Sequence, residues 1–343
     1  MKVKQFSILF LAGLFWLVSC KKDDMPATTG NYTQGVFVIN EGPFGGTGSI
    51  TWHNPETGET VQDVFGQANN GAVLGAFVQS LTLHDGKAYI VVNGANKIVV
   101  VNALTFVLEG VIEGFELPRF FFPLDNYLAL VSQWGADGLT GSIATINLTT
   151  KQIVSTTPAG KGPEKFFKTA AGAILVANSG GFGTDSTCSI ISTNPFQQFT
   201  VGGKNPACMA ETGFSGNLFI LCKGDYLDAS PAGFLDNRPI APVVENDRVV
   251  PVFSDDLVSA PDGNTLYFTG GGAIYEVTAT GFRKLFDQAA YGLGCDPATG
   301  NLFCADAKDF NSAGEVVMYK PSGEKVGAFP AGIAPGEVVF IQQ

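Results

Sequence analysis

The chain has 343 residues, with 20 basic against 31 acidic side chains, a formal net charge of −11 and only 15% charged residues. An acidic surface argues against nucleic acid as a partner and against docking on anionic lipid through a polybasic patch, since both need clustered basic residues. Gly at 43 and Phe at 28, with so few charges, favour turn-rich β structure over helix, and the length fits one large all-β domain as well as it fits two.

The first two dozen residues read as a targeting segment. Lys2 and Lys4 precede an apolar run from Phe6 to Val18, which ends in Leu17-Val18-Ser19-Cys20. A charged start, a short apolar segment and a small-residue cut site make a secretory signal, and the run is too short to span a membrane. The Cys after the small residue resembles the lipobox of bacterial lipoproteins, which implies that Cys20 becomes the acylated first residue. Lys21-Lys22-Asp23-Asp24 resembles the surface-export signal of Bacteroidetes lipoproteins. The alternative is an ordinary cleaved leader with an incidental Cys. The expected organisation is a signal peptide over 1–19, a lipidated flexible tether over 20–31 and a folded domain over 32–343. Loss of residues 1–19 leaves 18 basic against 31 acidic side chains, or −13, so acyl chains and not charge would hold the protein to the outer membrane at the cell surface.

An apolar pentapeptide ending in a small or polar residue then recurs. Its instances are Val36–Asn40, Tyr89–Asn93, Leu128–Ser132, Ile174–Asn178, Leu218–Cys222, Leu266–Gly270 and Leu302–Asp306. Their end points are spaced by 53, 39, 46, 44, 48 and 36 residues, near the roughly 40–50 of a propeller blade. Each reads as a strand buried on both faces. Turn clusters precede several of them, at His84–Lys87, Ala260–Asn264 and Asp296–Asn301. A second strand follows, as in Lys97–Asn102 and Gly141–Asn147, then a polar outer one, as in Lys151–Ser155. Pro118, Pro163, Pro206 and Pro335 mark entry to the next inner strand, three of them in a Gly-x-x-Pro frame from Gly160, Gly203 and Gly332. Four strands per repeat, A to D from the axis outward, make an all-β, seven-bladed β-propeller. The first repeat lacks room for its own A strand. Glu337–Ile341 follows Pro335 with nothing after it, and is predicted to complete the first blade and close the ring, removing exposed edges.

Catalysis is not expected. His53 and His84 fall near turns at the same end of the propeller and read as partly exposed, with no further ligands to make a zinc or haem site. No nucleophile elbow, phosphate loop or CxxC occurs. The acid pairs Asp225/Asp228 and Asp306/Asp309 offer oxygen ligands of the kind Ca²⁺ takes, but read more simply as solvated loop acids. Cys188, Cys208, Cys222, Cys295 and Cys304 are odd in number and fit buried small apolar residues, with pairing left open.

Binding is the better expectation. B–C and D–A loops emerge at one end, and several B–C loops carry a large ring: Phe44, Trp134, Phe182, Tyr226 and Phe310. Residues 93–95 and 270–272 offer small residues at the equivalent place. Asn40, Asn93, Asn96, Gln133 and Asn178 share that face, where the Asn residues ending B strands would first cap turns. Arg119 and Asn93 are candidate hydrogen-bond donors. Rings on an apolar floor with a few oriented polar groups make a ligand site, unless the rings fold under their own loops.

Asn40–Ile50 with Asn54–Gly58, and Leu74-Gly75 with Gln79–Asn93, resemble YncE-like seven-bladed propeller lipoproteins of Bacteroidetes. The resemblance is specific from Gln34 to Gly114, continues as a blade pattern through Gly160, and after Pro206 is only architectural; Gly224 to Val250 departs from the pattern. It implies capture of vitamin B12 (cobalamin) or a related corrinoid, as a ligand and not a cofactor, and transfer to a TonB-dependent outer-membrane transporter. No residue contacts follow from it. The alternatives are a propeller that binds a protein or glycan without a small ligand, and a lyase or quinoprotein type of enzyme, which would want a clustered His/Glu site.

Overall fold

The computed structural model describes residues 30–212, 217–224, 232–235, 238–239, 244–245, 248–249, 256–278 and 281–341. The signal segment, Cys20 and most of the tether therefore lie outside the described residues, as do Asp225, Tyr226 and Asp228.

The chain is an all-β propeller with almost no helix. Six four-stranded antiparallel sheets are built from described residues throughout, each ordered outward from the axis. In chain order their second strands are Val36–Asn40, Lys87–Val92, Leu128–Gln133, Ile174–Asn178, Leu266–Gly270 and Leu302–Asp306. These B strands are the recurring apolar runs, and Val36–Asn40 and Leu266–Gly270 are buried at every position. Outer strands such as Gln152–Pro158 are largely exposed. A further sheet starts with Pro206–Thr212 and Asn217–Cys222 and continues through Ala232–Leu235 and Arg238–Pro239. An extra hairpin, Val244–Glu245 with Arg248–Val249, follows it within the stretch that departs from the repeat.

The C-terminal strand Pro335–Phe340 pairs antiparallel with Val36–Asn40, placing Val338 opposite Val38. The first and last strands of the domain thus share one sheet. A five-residue helix, Val64–Ala68, follows that sheet's outer strand and buries Phe65 against the core, where the repeat pattern would have continued a strand. Tyr32 is already core, packed against Phe37, Trp52 and Phe106.

Neighbouring sheets pack through apolar side chains from facing strands. Tyr89 stacks on Phe121 at 4.2 Å, Phe122 meets Phe166 at 5.4 Å and Phe303 meets Phe340 edge-on at 5.0 Å. Such pairs add about 0.5–1.5 kcal/mol each beyond the area they bury. His53 belongs to this core. It is 4% exposed, its ring stacks on Phe329 at 3.8 Å, and its Nδ1 lies 2.8 Å from Thr60 Oγ1. The reading of both histidines as partly exposed is therefore corrected for His53: it ends a C strand at a sheet interface, and burial lowers its pKa. His84 is half-buried, with Nε2 3.0 Å from the Asp125 carbonyl. None of the five cysteines forms a disulfide, and four are buried. Burial pushes the Cys304 thiol up to about 12, as expected of an inert packing residue.

Candidate functional site

The end of the propeller that carries the B–C and D–A loops is built from one repeated corner. In five sheets the residue just before, or next to, the A strand is left-handed: Phe77, Leu117, Gly162, Asn205 and Ala334, with φ of 50–60°. Its carbonyl accepts from the first residue beyond the neighbouring B strand, or from that strand's extension, through Asn93, Trp134, Ser179, Lys223 and Glu41 N–H at 2.7–3.1 Å. A second rung follows, from Gly94, Gly135, Gly180, Gly224 and Gly42 at 2.9–3.1 Å. The two rungs carry the A–B pairing up into the loops and fix where each B–C loop starts.

A register shift lies at the start of the A strand in the same five sheets: Val78/Ser80, Pro118/Phe121, Pro163/Phe166, Pro206/Cys208 and opposite Ile39/Asn40. Such bulges re-aim side chains. The residues they re-aim include Gln79, Arg119, Glu164, Lys165 and Glu337, which meet around the mouth of the central channel.

Two polar chains cross that mouth. In the first, Arg119 Nη1 donates to Gln79 Oε1 and Nε donates to Glu164 Oε2 at 3.1 Å, while Glu164 Oε1 accepts from Ser179 Oγ at 3.2 Å. The Arg119 guanidinium also stacks on the Trp134 ring, 4.3 Å from its centre. In the second, Lys165 Nζ donates to Asp256 Oδ1, and Asp256 Oδ2 accepts from Leu293 N at 2.8 Å. Glu337 faces the same lysine, and its Oε2 accepts from Leu81 N at 2.9 Å. Burial pushes the Glu337 carboxyl up to about 7, although Lys165 and the Leu81 N–H pull it back. Burial lowers the Lys165 pKa, but facing Asp256 and Glu337 outweigh it, so the ammonium stays charged. A cavity of about 20 Å³, bordered by Glu41, Gln79, Phe120, Tyr291 and these groups, has room for one water.

The predicted contacts are arranged around this mouth. Phe44 is 92% exposed, Phe182 71% and Phe310 47%. Each ring leans on one neighbour: Phe44 on Phe77 at 5.9 Å, Phe182 on Trp134 at 5.5 Å and Phe310 on Tyr291 at 5.0 Å. Trp134 is half-buried, and its Nε1 is buried without a hydrogen-bond partner among the described residues. Tyr226 lies outside the described residues. The amides are committed within the fold. Asn93 Nδ2 donates to the Pro118 carbonyl at 3.0 Å, Asn96 Oδ1 accepts from Leu117 N at 2.8 Å, and Gln133 Oε1 accepts from Glu116 N at 3.1 Å. Asn40 joins three strands, with Nδ2 on Thr51 Oγ1 and Oδ1 accepting from Gly332 N. The expectation that B-strand asparagines cap turns is corrected: they tie strands and sheets together. Turn-capping falls to Asn54, Asn102 and Asn147 at the ends of C strands, whose Oδ1 atoms accept N–H groups two and three residues on.

One cavity on this face is large enough for a ligand. It measures about 300 Å³, and its lining includes Gly270–Ala273, Ala289–Tyr291, Asp306–Lys308 and Phe310. Its cause is local. Gly270 pairs directly with Ala273, so Gly271 and Gly272, both at positive φ, make the tightest kind of hairpin where other sheets carry long loops. The missing loop leaves a depression walled by Tyr291 and Phe310. Asp306 and Asp309 also accept turn N–H groups, from Lys308, Asn311 and Ser312. Among the described residues no group of three or more His, Cys, Asp or Glu is placed to hold a metal ion.

Sequence reasoning found the aromatic loops and Arg119, and missed Glu164, Lys165, Asp256 and Glu337. The available signal was a charge directly after an entry proline, as in Pro163-Glu164-Lys165, in a strand otherwise built for burial.

Residues 34–183 match a domain of unknown function, DUF5074. Comparison with curated protein sequences gave no match. Among solved structures, the chain is similar to a quinoprotein alcohol dehydrogenase-like protein from Bacteroides thetaiotaomicron, at 15% identity over 91% of this chain and 79% of that one, with a TM-score of 0.66. A functionally unknown protein from Desulfotomaculum acetoxidans is similar at 14% identity, covering 90% and 98%, with a TM-score of 0.63. Hydrazine synthase of Kuenenia stuttgartiensis follows at 15% identity, covering 78% and 92%, with a TM-score of 0.60. At these identities the likeness is one of fold, and with the domain match it fits a β-propeller family.

Proposed function

We propose that the chain is a closed seven-bladed propeller that captures a ligand on its B–C face and hands it on unchanged. Support for seven blades comes from the further sheet begun by Pro206–Thr212, and from apolar clusters that join each sheet to the next, including one between Phe303 and Val38 where the chain ends meet. The observation that carries the binding reading is the exposure of Phe44, Phe182 and Phe310 in B–C loops of one face, with a cavity of about 300 Å³ beside Phe310. Exposed rings on a face with fixed loop starts mark an interaction surface.

In this reading Cys20 carries the lipid anchor, the protein stands on the outer membrane facing outward, and the ligand is a cobalamin or related corrinoid passed to a TonB-dependent transporter. The sequence resemblance supports the ligand. A corrin ring is broader than the cavity, so it would lie across the aromatic face rather than enter it. Pre-fixed loops keep the ordering cost of such binding low. The second reading is a face for a protein or glycan, which the exposed phenylalanines favour equally.

Soluble protein starting near Pro26, mixed with cyanocobalamin and run on gel filtration, tests the first reading. The corrin colour is expected in the protein peak, and Phe44→Ala with Phe182→Ala is expected to weaken binding at least tenfold at unchanged melting temperature. A colourless peak from folded protein would reject the corrinoid and turn attention to glycan arrays.

A further inference from the structure

The cavity beside Phe310 has a charge character that selects among ligands. Its walls are the edge-to-face pair Tyr291 and Phe310, and its floor is the Gly271–Gly272 turn, where a side chain on Gly272 would meet nothing within 4 Å. Two charged side chains line it, Asp306 and Lys308. Lys308 is engaged by Glu315, Nζ to Oε1 at 3.4 Å. Asp306 accepts one backbone N–H through Oδ1, and its Oδ2 makes no hydrogen bond among the described residues. Tyr291 donates its hydroxyl to Glu41, a second carboxylate on the channel side of the same wall. Asp256 and Glu337 lie beyond, shared between one lysine. From Phe310 inward the charge is therefore predominantly negative, and the chain as a whole carries −11.

We propose that this cavity binds an organic cation, a protonated or quaternary amine attached to a ring-sized apolar body. The body would rest against the Tyr291–Phe310 pair, on the side that faces the Gly271–Gly272 turn. Aromatic faces attract cations through the negative potential of the ring face, more strongly as water is excluded. Asp306 Oδ2 supplies the counter-charge, and the acidic field raises the local cation concentration and the association rate. At about 300 Å³ the site is at the small end of ligand pockets, which limits the inserted group to one ring and its amine. The inference rests on the reading of this face as a ligand surface and names the charge of what enters it.

The test uses the full chain, with benzyltrimethylammonium, benzyl alcohol and phenylacetate as cationic, neutral and anionic probes, followed by saturation-transfer NMR and calorimetry. The cation is expected to bind at least tenfold more tightly than either other probe, and to lose about tenfold in Asp306→Asn and in Phe310→Ala. Asparagine keeps an acceptor for Lys308 N–H, so the loop is expected to hold, and unchanged melting temperatures verify it. Equal binding of all three probes, or affinity indifferent to Asp306→Asn, would overturn the cation assignment while leaving the face as a ligand surface. No binding by any probe at millimolar concentration, with cobalamin still retained in the protein peak, would overturn the cavity as a subsite; loss of both would overturn the ligand-face reading itself.

Discussion

Lys165 reaches from one inner strand toward carboxylates on two others, Asp256 and Glu337, and this makes it hard to replace. Removing one partner of a buried ion pair leaves the other charge desolvated and unmatched, which costs about 3–5 kcal/mol. The Lys165 side chain is 26% exposed, so Lys165→Met is expected to cost about 3 kcal/mol in urea unfolding. Asp256→Asn made in the same chain should recover part of that loss, a coupling readable by a double-mutant cycle. Glu337 gives a pH signature. Its folded pKa of about 7 stands above the ordinary carboxylate value of 4.5, so between these pH values the folded state binds more protons than the unfolded one. Stability from this group is full below about 4.5 and falls as pH rises through 7. Glu337→Gln keeps an acceptor for Leu81 N–H and is expected to flatten the fall, giving a higher melting temperature than the parent at pH 8 and a smaller gap at pH 5, by scanning calorimetry. At this scale the sequence was legible for exposed rings and opaque for the channel charges. Asp256 and Lys165 are 91 positions apart, and no local pattern links them.

The element that organises the B–C face is the two-rung corner between A and B strands. Gly162 shows how tight it is. A Cβ there would lie 2.0 Å from Gly181 N and 2.6 Å from Gly181 Cα, both backbone atoms that cannot swing aside. Gly162→Ala is expected to cost at least 2 kcal/mol through this overlap and the left-handed φ. Gly58→Ala, also at positive φ but with nothing within 4 Å, should cost only about 1 kcal/mol. Paired thermal melts of the two variants test whether the close approach, and not the dihedral alone, sets the difference. The corner was partly visible beforehand in the Gly-x-x-Pro frames, and Pro118, Pro163, Pro206 and Pro335 do open inner strands. Its left-handed residue was not visible, because Phe77 and Leu117 hold a conformation that bulky residues rarely adopt. The bulge was hidden as well: a one-residue slip inside a strand buried on both faces leaves the apolar run unchanged.

Across the molecule, order comes from repetition, and the cavity beside Phe310 from an interruption of it. The B-strand runs made the propeller legible, because a strand buried on both faces writes the same apolar string each time. The cavity arises where the Gly270–Ala273 hairpin replaces a loop, and a short loop reads in sequence as an absence, with its depth set by Tyr291 and Phe310 in the next repeat. Pairing of the last strand with the first makes a prediction at this scale. A chain ending at Ile333 would leave one side of Val36–Asn40 without partners and expose Phe303. It is expected to lose its cooperative melt and to aggregate on gel filtration, as an open sheet edge would. A sharp melt near that of the parent would argue against closure.

That pairing also sets a schedule for biosynthesis. Val36–Asn40 leaves the ribosome well before its partner Pro335–Phe340, with the other sheets made in between. At roughly 5–20 residues per second, the interval is about 15–60 s. Throughout that time the first sheet lacks its innermost strand, so it is completed only after every other described sheet has been made.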